Sequence, residues 1–249
     1  MHISVRSLAA AAAVCVAACG TPTSAGDQAM PGSGEAAQAV KSGSPVFSPN
    51  TRPFGTTMGA WSARWWRWEL SVPASINPGL DPSGAFCDQG QPTTEVWYLA
   101  SVFAPGSATR SCTIPKGRAV LVALSTILND YPCPDPNFQP APGQSLGDFL
   151  RIGARQFEDA VNVLNLSVDG RNIDGLFNYR FESPLFQFRG DPSLTSAIDP
   201  CITGQEQPGV SDGYFVMLKP LTPGAHIVQF GAADTRGFQS AITYQLDVQ

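Results

Sequence analysis

Residues 241–248 read AITYQLDV: Ile242, Tyr244, Leu246 and Val248 alternate with Ala241, Thr243, Gln245 and Asp247. A period of two places the first set on one face of a strand and the second on the other, the pattern of a half-buried β-strand. Working back along the chain, GAHIVQFGA (224–232), GYFVMLKPL (213–221) and PLFQFR (184–189) also read as strands, with turn residues between them. NLSVDGRNI (165–173) holds an Asp-Gly dipeptide between alternating residues, which signals a hairpin. EVWYLASVFA (95–104) and RAVLVALSTI (118–127) are rich in β-branched and aromatic residues and bounded by Gly, Pro and Ser, so both read as buried strands. The expected architecture is mainly β, a jelly-roll or immunoglobulin-like β-sandwich with two accessory helices at 57–72 and 146–164.

The first helix contains WSARWWRWEL, residues 61–70, with four of the five tryptophans. On a helical wheel Trp61, Trp65, Trp68 and Val72 form one stripe, and Gly59, Ala63, Trp66 and Leu70 a second nearly opposite it. Arg64, Arg67 and Ser71 fill one seam, Ser62 and Glu69 the other. A helix apolar on two sides belongs between layers. Each buried indole contributes up to about 4 to 6 kcal/mol at 25 cal/mol per Å². Leaving four in water would forfeit more than a typical net stability of about 5 to 15 kcal/mol. Most rings therefore belong to the core. An exposed edge of Trp61, Arg64, Trp65 and Trp68 still suits a sugar ring, and is kept as a candidate binding surface. The second helix is expected to bury Phe149, Gly153, Phe157, Ala160 and Leu164 and to solvate Arg151, Arg155, Glu158 and Asp159.

Ahead of the domain, Arg6 precedes an apolar run, LAAAAAVCVAA, that is too short to span a bilayer, which takes roughly 20 residues. Val16-Ala17-Ala18-Cys19 resembles the bacterial lipoprotein signal, so residues 1–18 are expected to be removed and Cys19 to be lipidated. Residues 19–50, rich in Ser, Gly, Pro, Ala and Gln, read as a tether, and 51–249 as one sandwich domain. Without the leader, 14 basic side chains face 20 acidic ones. That balance excludes a nucleic-acid partner, which needs a basic face. The expected location is the cell envelope, outside the cytoplasm, with the membrane as a partner through the lipid.

Cys87, Cys112, Cys133 and Cys201 remain in the exported domain, where four cysteines suggest two disulfides. Cys87–Cys112 and Cys133–Cys201 is the favoured pairing, and free buried thiols are the alternative. A resemblance supports the outline. The set GAWSARWWRWELSVP, VWYLAS, RSCTIPKGRAVL, VDG with YRFESPLFQF, and DGYFVMLKPLTPGAHIVQFG resembles an uncharacterised family of secreted bacterial proteins and lipoproteins. It implies a shared fold and export, and it carries no catalytic residue to this chain.

Chemistry-bearing motifs are sparse. GQSLG (143–147) fits a nucleophile pattern, and Ser145, Asp174 or Asp212, and His226 follow hydrolase order, but Ser145 and Asp148 suit a helix cap better. His226 alone cannot build a common multi-histidine metal shell, and Asp169, Asn172 and Asp174 miss the spacing of a calcium loop. No metal and no cofactor are expected. A carboxylate pair remains, with Asp130 and Asp212 the first candidates among Glu69, Asp130, Asp135, Glu182 and Asp212. Arg180 and Asp212, with Tyr214, are expected to meet at one end of the sheets as a binding surface or a salt bridge. The leading expectation is an envelope-anchored binding module, its ligand a glycan. The alternatives are a secreted polysaccharide hydrolase or lyase, and a structural partner of another envelope protein.

Overall fold

The computed structural model describes residues 43–249; the leader, Cys19 and most of the tether lie outside them. In chain order come α1 Met58–Ser71, β1 Val96–Leu99, β2 Gly106–Ile114, β3 Ala119–Asp130, α2 Leu146–Glu158, β4 Val161–Val168 and β5 Arg171–Asn172. Then follow β6 Arg180–Glu182, β7 Phe186–Arg189, α3 Leu194–Ala197, β8 Glu206–Leu218, β9 Gly224–Asp234 and β10 Gln239–Val248. The strands form two sheets, β1-β3-β8-β6 with β7 also on β8, and β2-β10-β9-β4-β5. The fold is a β-sandwich with accessory helices.

Register decides which residues meet. β3 and β8 run antiparallel with Val120 opposite Leu218 and Val122 opposite Val216, and a bulge between Ala123 and Ser125. Val120, Val122, Tyr214 and Val216 turn toward the second sheet, where Phe230, Ile242, Tyr244 and Leu246 meet them in the central core. Leu121, Ala123, Phe215 and Met217 turn the other way, into a second core built with α1. The β3/β8 sheet is thus buried on both faces, and this is why AVLVAL shows no alternation. The far side of β8 is shared by three short partners: Val46 at Leu218, β6 at 212–214 and β7 at 206–209. Val46 is buried there, so the chain joins the fold five residues before position 51.

α1 starts at Thr57, whose hydroxyl accepts from Ala60 N at 3.2 Å, and ends before Pro73, where Asn77 Nδ2 donates to Glu69 O at 2.7 Å and Val72 O at 3.1 Å. Its two apolar stripes and the Ser62/Glu69 seam are buried, and only Arg64, Arg67 and Ser71 reach solvent. β1 lies at an edge, parallel to β3. On its open side the Gln91 amide donates to Tyr98 O at 2.8 Å and accepts from Tyr98 N at 3.0 Å.

Three expectations change. The second helix stops at Glu158 and not at 164, because Val161, Val163 and the residues after them pair with β9 as strand β4. Its buried face is Leu150, Ala154 and Glu158, while Phe157 is 40% exposed beneath the Arg236 guanidinium. The helix turns this way because Gly153 packs against Asn129, leaving no room for a Cβ, and Asn129 Nδ2 donates to Leu150 O at 3.0 Å. Finally, β2 is a strand that the apolar pattern hides, since its inward positions are Ala108, Arg110, Cys112 and Ile114. Arg110 is buried by donating to Asp81 O, Ala100 O, Ser101 O, Gly79 O and Tyr244 Oη. The disulfides are Cys87–Cys112, which ties β2 to the 81–90 loop, and Cys133–Cys201.

Candidate functional site

Four of the candidate residues named from the sequence, Arg180, Glu182, Asp212 and Tyr214, come together on the flank formed by α2, β6 and β8. A 3-10 turn at Leu176–Tyr179 delivers Arg180 into β6, where it pairs with Tyr214, and Glu182 pairs with Asp212. Arg180 donates through Nε and Nη2 to both oxygens of Asp212, the shortest contact being 2.6 Å. Through Nη1 it reaches Asp159 Oδ1 at 2.6 Å, and through Nη2 the carbonyl of Arg155 at 3.2 Å. The hydrogen bond with Asp212 raises the affinity of Arg180 for its proton further above the ordinary arginine value. Beside this pair, Glu182 accepts from Arg151 Nε at 2.5 Å and Arg155 Nε at 2.6 Å. Arg155, Asp159, Arg180, Glu182 and Asp212 line a shallow, open groove. Tyr214 lies beneath it, buried, with the Arg180 guanidinium 6.0 Å from its ring centre and the half-exposed Phe177 ring edge-on at 5.6 Å.

Glu158 lies under the same groove, although its place on a charged helix face led to the expectation that it is solvated. It is fully buried, accepts from Ser125 Oγ at 3.3 Å, and has no partner for Oε2. Burial pushes its carboxyl up to about 8, with the Asp212 charge adding to the rise and the Ser125 bond opposing it. The signal that finds it is the run Leu150, Ala154, Glu158, one stripe at four-residue spacing.

Asp130 and Asp212 are not a pair. Asp130 stands opposite Gly209 and Asp212 opposite Ile127, so alternation along β3 and β8 sends the two side chains to opposite faces of the sheet. Asp130 is instead buried near Cys201, where Gln207 Nε2 donates to it. Burial and then the charge of Asp199 push it up to about 7. Asp130, Asp199 and Cys201 cluster closely, yet the sulfur of Cys201 is bonded to Cys133 and offers no thiolate to a metal.

The tryptophans do not form a ligand platform. Trp61, Trp65 and Trp68 are 1%, 2% and 5% exposed, and their indole N–H groups donate to Pro53 O, Leu99 O and Gln89 O. Trp66 donates to Thr126 Oγ1 at 3.1 Å. Rings that pack an apolar body and satisfy their polar tip inside the protein have nothing left to offer a sugar. Of that set only Arg64 is exposed, lying 4.5 Å from the Trp61 ring centre.

The triad order does not assemble either. Ser145 caps α2, with Asp148 N donating to it at 3.1 Å. Asp212 belongs to Arg180, and His226 lies between Asp169 Oδ2 at 2.7 Å and Thr222 O at 2.8 Å. Both of these oxygens accept, which favours the imidazolium, and the Thr222 hydroxyl stands 3.3 Å from the same Nε2. Asp169 also accepts from Ile227 N, so each of its oxygens holds a hydrogen bond.

No protein-family model, curated protein or solved structure matches this chain.

Proposed function

We propose that the chain is a lipid-anchored, extracytoplasmic binding module whose ligand is a glycan seated in the Arg180 groove. The observation that carries this reading is the interleaving of exposed donors and acceptors on a rigid frame. Arg155 engages Glu182 through Nε alone and its side chain is 56% exposed, while the Asp159 side chain across the groove is 64% exposed. Vicinal hydroxyls both donate and accept, so one sugar edge satisfies an arginine fork and a carboxylate together. Phe177 adds an apolar ring at the border, 52% exposed. Anchoring rests on the Val16–Cys19 signal and accords with the family resemblance.

The test is calorimetric titration of the mature domain with an oligosaccharide panel. We expect at least one oligosaccharide to bind unchanged, and Arg155→Ala to weaken it tenfold or more while the fold, checked by circular dichroism, stays intact. Binding that is indifferent to Arg155 sinks the proposal.

The hydrolase reading keeps one supporting observation: two carboxyls in unlike surroundings, Glu158 buried and pushed toward its protonated form, and nearby Asp212 held by Arg180. Release of reducing sugar that disappears in Glu158→Gln would favour it over the binding module.

A further inference from the structure

The outward face of the β2-β10-β9-β4 sheet is a second candidate surface, independent of the groove. Its side chains stand in rows set by the register. Thr109, Thr243, Gln229 and Ser167 form one row across four strands, and Ser111, Gln245 and Ile227 the next. The amides bridge the hydroxyls: Ser111 Oγ lies 3.3 Å from Gln245 Oε1, Ser167 Oγ 3.4 Å from Gln229 Oε1, and Gln229 Nε2 3.5 Å from Thr243 Oγ1. Neighbouring rows are about 7 Å apart along the strands, and positions within a row about 4.8 Å apart. On the other side of the first row Ala241 and Gly231 present almost no side chain, and a shallow depression opens beside Gln245 and Asp247.

The charge of this face is its distinguishing property. At the outward positions of these four strands Asp247 is the sole ionisable side chain, against roughly 25 to 35% charged residues on an ordinary soluble surface. An acidic polymer finds no cation at these outward positions and meets a chain with an acidic balance. A basic partner finds one carboxylate. A protein docking through apolar anchors finds only Ile227 and Val163 of any size. What complements a flat, neutral array of donors and acceptors is a flat, neutral array of hydroxyls. We propose that this face binds an uncharged polysaccharide laid across the strands. Single neutral hydrogen bonds contribute little each, so occupancy depends on a polymer that spans several rows at once.

The experiment is co-sedimentation of the full mature domain with microcrystalline cellulose, and affinity electrophoresis in gels containing dextran, with alginate as the charged control. We expect retention by at least one uncharged glucan, no retention by alginate, and no competition from glucose. On an Arg155→Ala background, which removes the contribution of the groove, Thr243→Lys with Gln229→Lys should reduce retention at least tenfold and Thr243→Ser should preserve it. Because Arg155 belongs to the groove, its substitution separates failure of this proposal from failure of the previous one. Retention that is lost entirely with Arg155→Ala alone, that survives the added double lysine change, or that is absent on both glucans overturns the proposal. So does a change in oligomeric mass caused by the lysines, since it would assign the face to contact with a second copy.

Discussion

The β3/β8 sheet and the β9/β10 sheet share the central core and differ in what lies behind them. α1 covers the first, and water meets the second. Their sequences carry the difference: AVLVAL on β3 is apolar at every position, whereas AITYQLDV on β10 alternates. The covered sheet also distorts the acids placed near it. Burial pushes Glu69 up to about 8, and neither of its carboxyl oxygens has a hydrogen-bond partner; the N–H of Gly79 beside it donates to Asn77 Oδ1. Asp130 and Glu158 are pushed up as well. On the open sheet the direction reverses. Burial opposes ionisation of Asp169 and Asp234 too, but the bond from His226 at the first, and backbone bonds from Phe238 and Arg236 at the second, hold both below the usual carboxylate range. Covering a sheet therefore does two things: it adds apolar burial, and it converts nearby acids into groups that resist ionisation.

The sharpest way to break this contrast is to uncover the sheet. Trp65→Ala removes a ring packed on Phe215 and Trp68 together with its bond to Leu99 O, and should cost about 3 to 5 kcal/mol in urea unfolding. Thr243→Ala on the open face should stay within about 0.5 kcal/mol. Comparable losses at the two positions would erase the distinction. The open sheet has its own point of vulnerability at the β2 edge. Replacing Cys87 and Cys112 together by alanine frees a loop of sequence separation 25, and should cost about 3 kcal/mol by the same measurement.

A separate effect appears in the pH dependence. The folded chain keeps a proton on Glu69 until about pH 8, while the unfolded chain releases it near 4.5, so the native state binds more protons across that window. Stability must then fall as pH rises from 4.5 to 8, and Glu69→Gln should make that decline shallower. His226 on the open sheet adds a decline of different origin. Burial favours its neutral form, but the Asp169 and Thr222 bonds overcome this and raise its pKa above 6.5. Its contribution is complete below 6.5 and is lost as pH climbs through the folded value. His226→Asn should remove this last and smallest component, read as melting temperature against pH.

How much of this was legible follows the same division. Alternation announced β9 and β10, and the Asp-Gly pair announced the β4–β5 hairpin, where Asp169 and Gly170 take φ values of 52° and 75°. The wheel for α1 separated its stripes, and burial energy favoured the core over a platform. What stayed hidden required knowledge of partners. Arg110 is inward because five acceptors surround it, Glu158 because Gly153 lets α2 turn toward Asn129, and Asp130 leaves Asp212 because sheet register flips its face. Each depends on contacts distant in sequence, and no local period reports them. The meeting of Arg180 with Asp212 was expected at one end of the sheets, but Asp212 and Tyr214 stand mid-strand in β8, and Arg180 reaches them through β6 along its side. The residues that make their surroundings a groove, Arg155 and Asp159, were read only as a solvated helix face.

The side chain of Gln91 has a consequence for the molecule's behaviour in company. Its amide presents to Tyr98 the same N–H and C=O that a neighbouring strand would present, and so fills that rung of β1 from within. An edge completed in this way gives a passing copy no main-chain template on which to begin a fibre. Where encounters between copies are frequent, one glutamine thus closes one rung against strand-to-strand pairing.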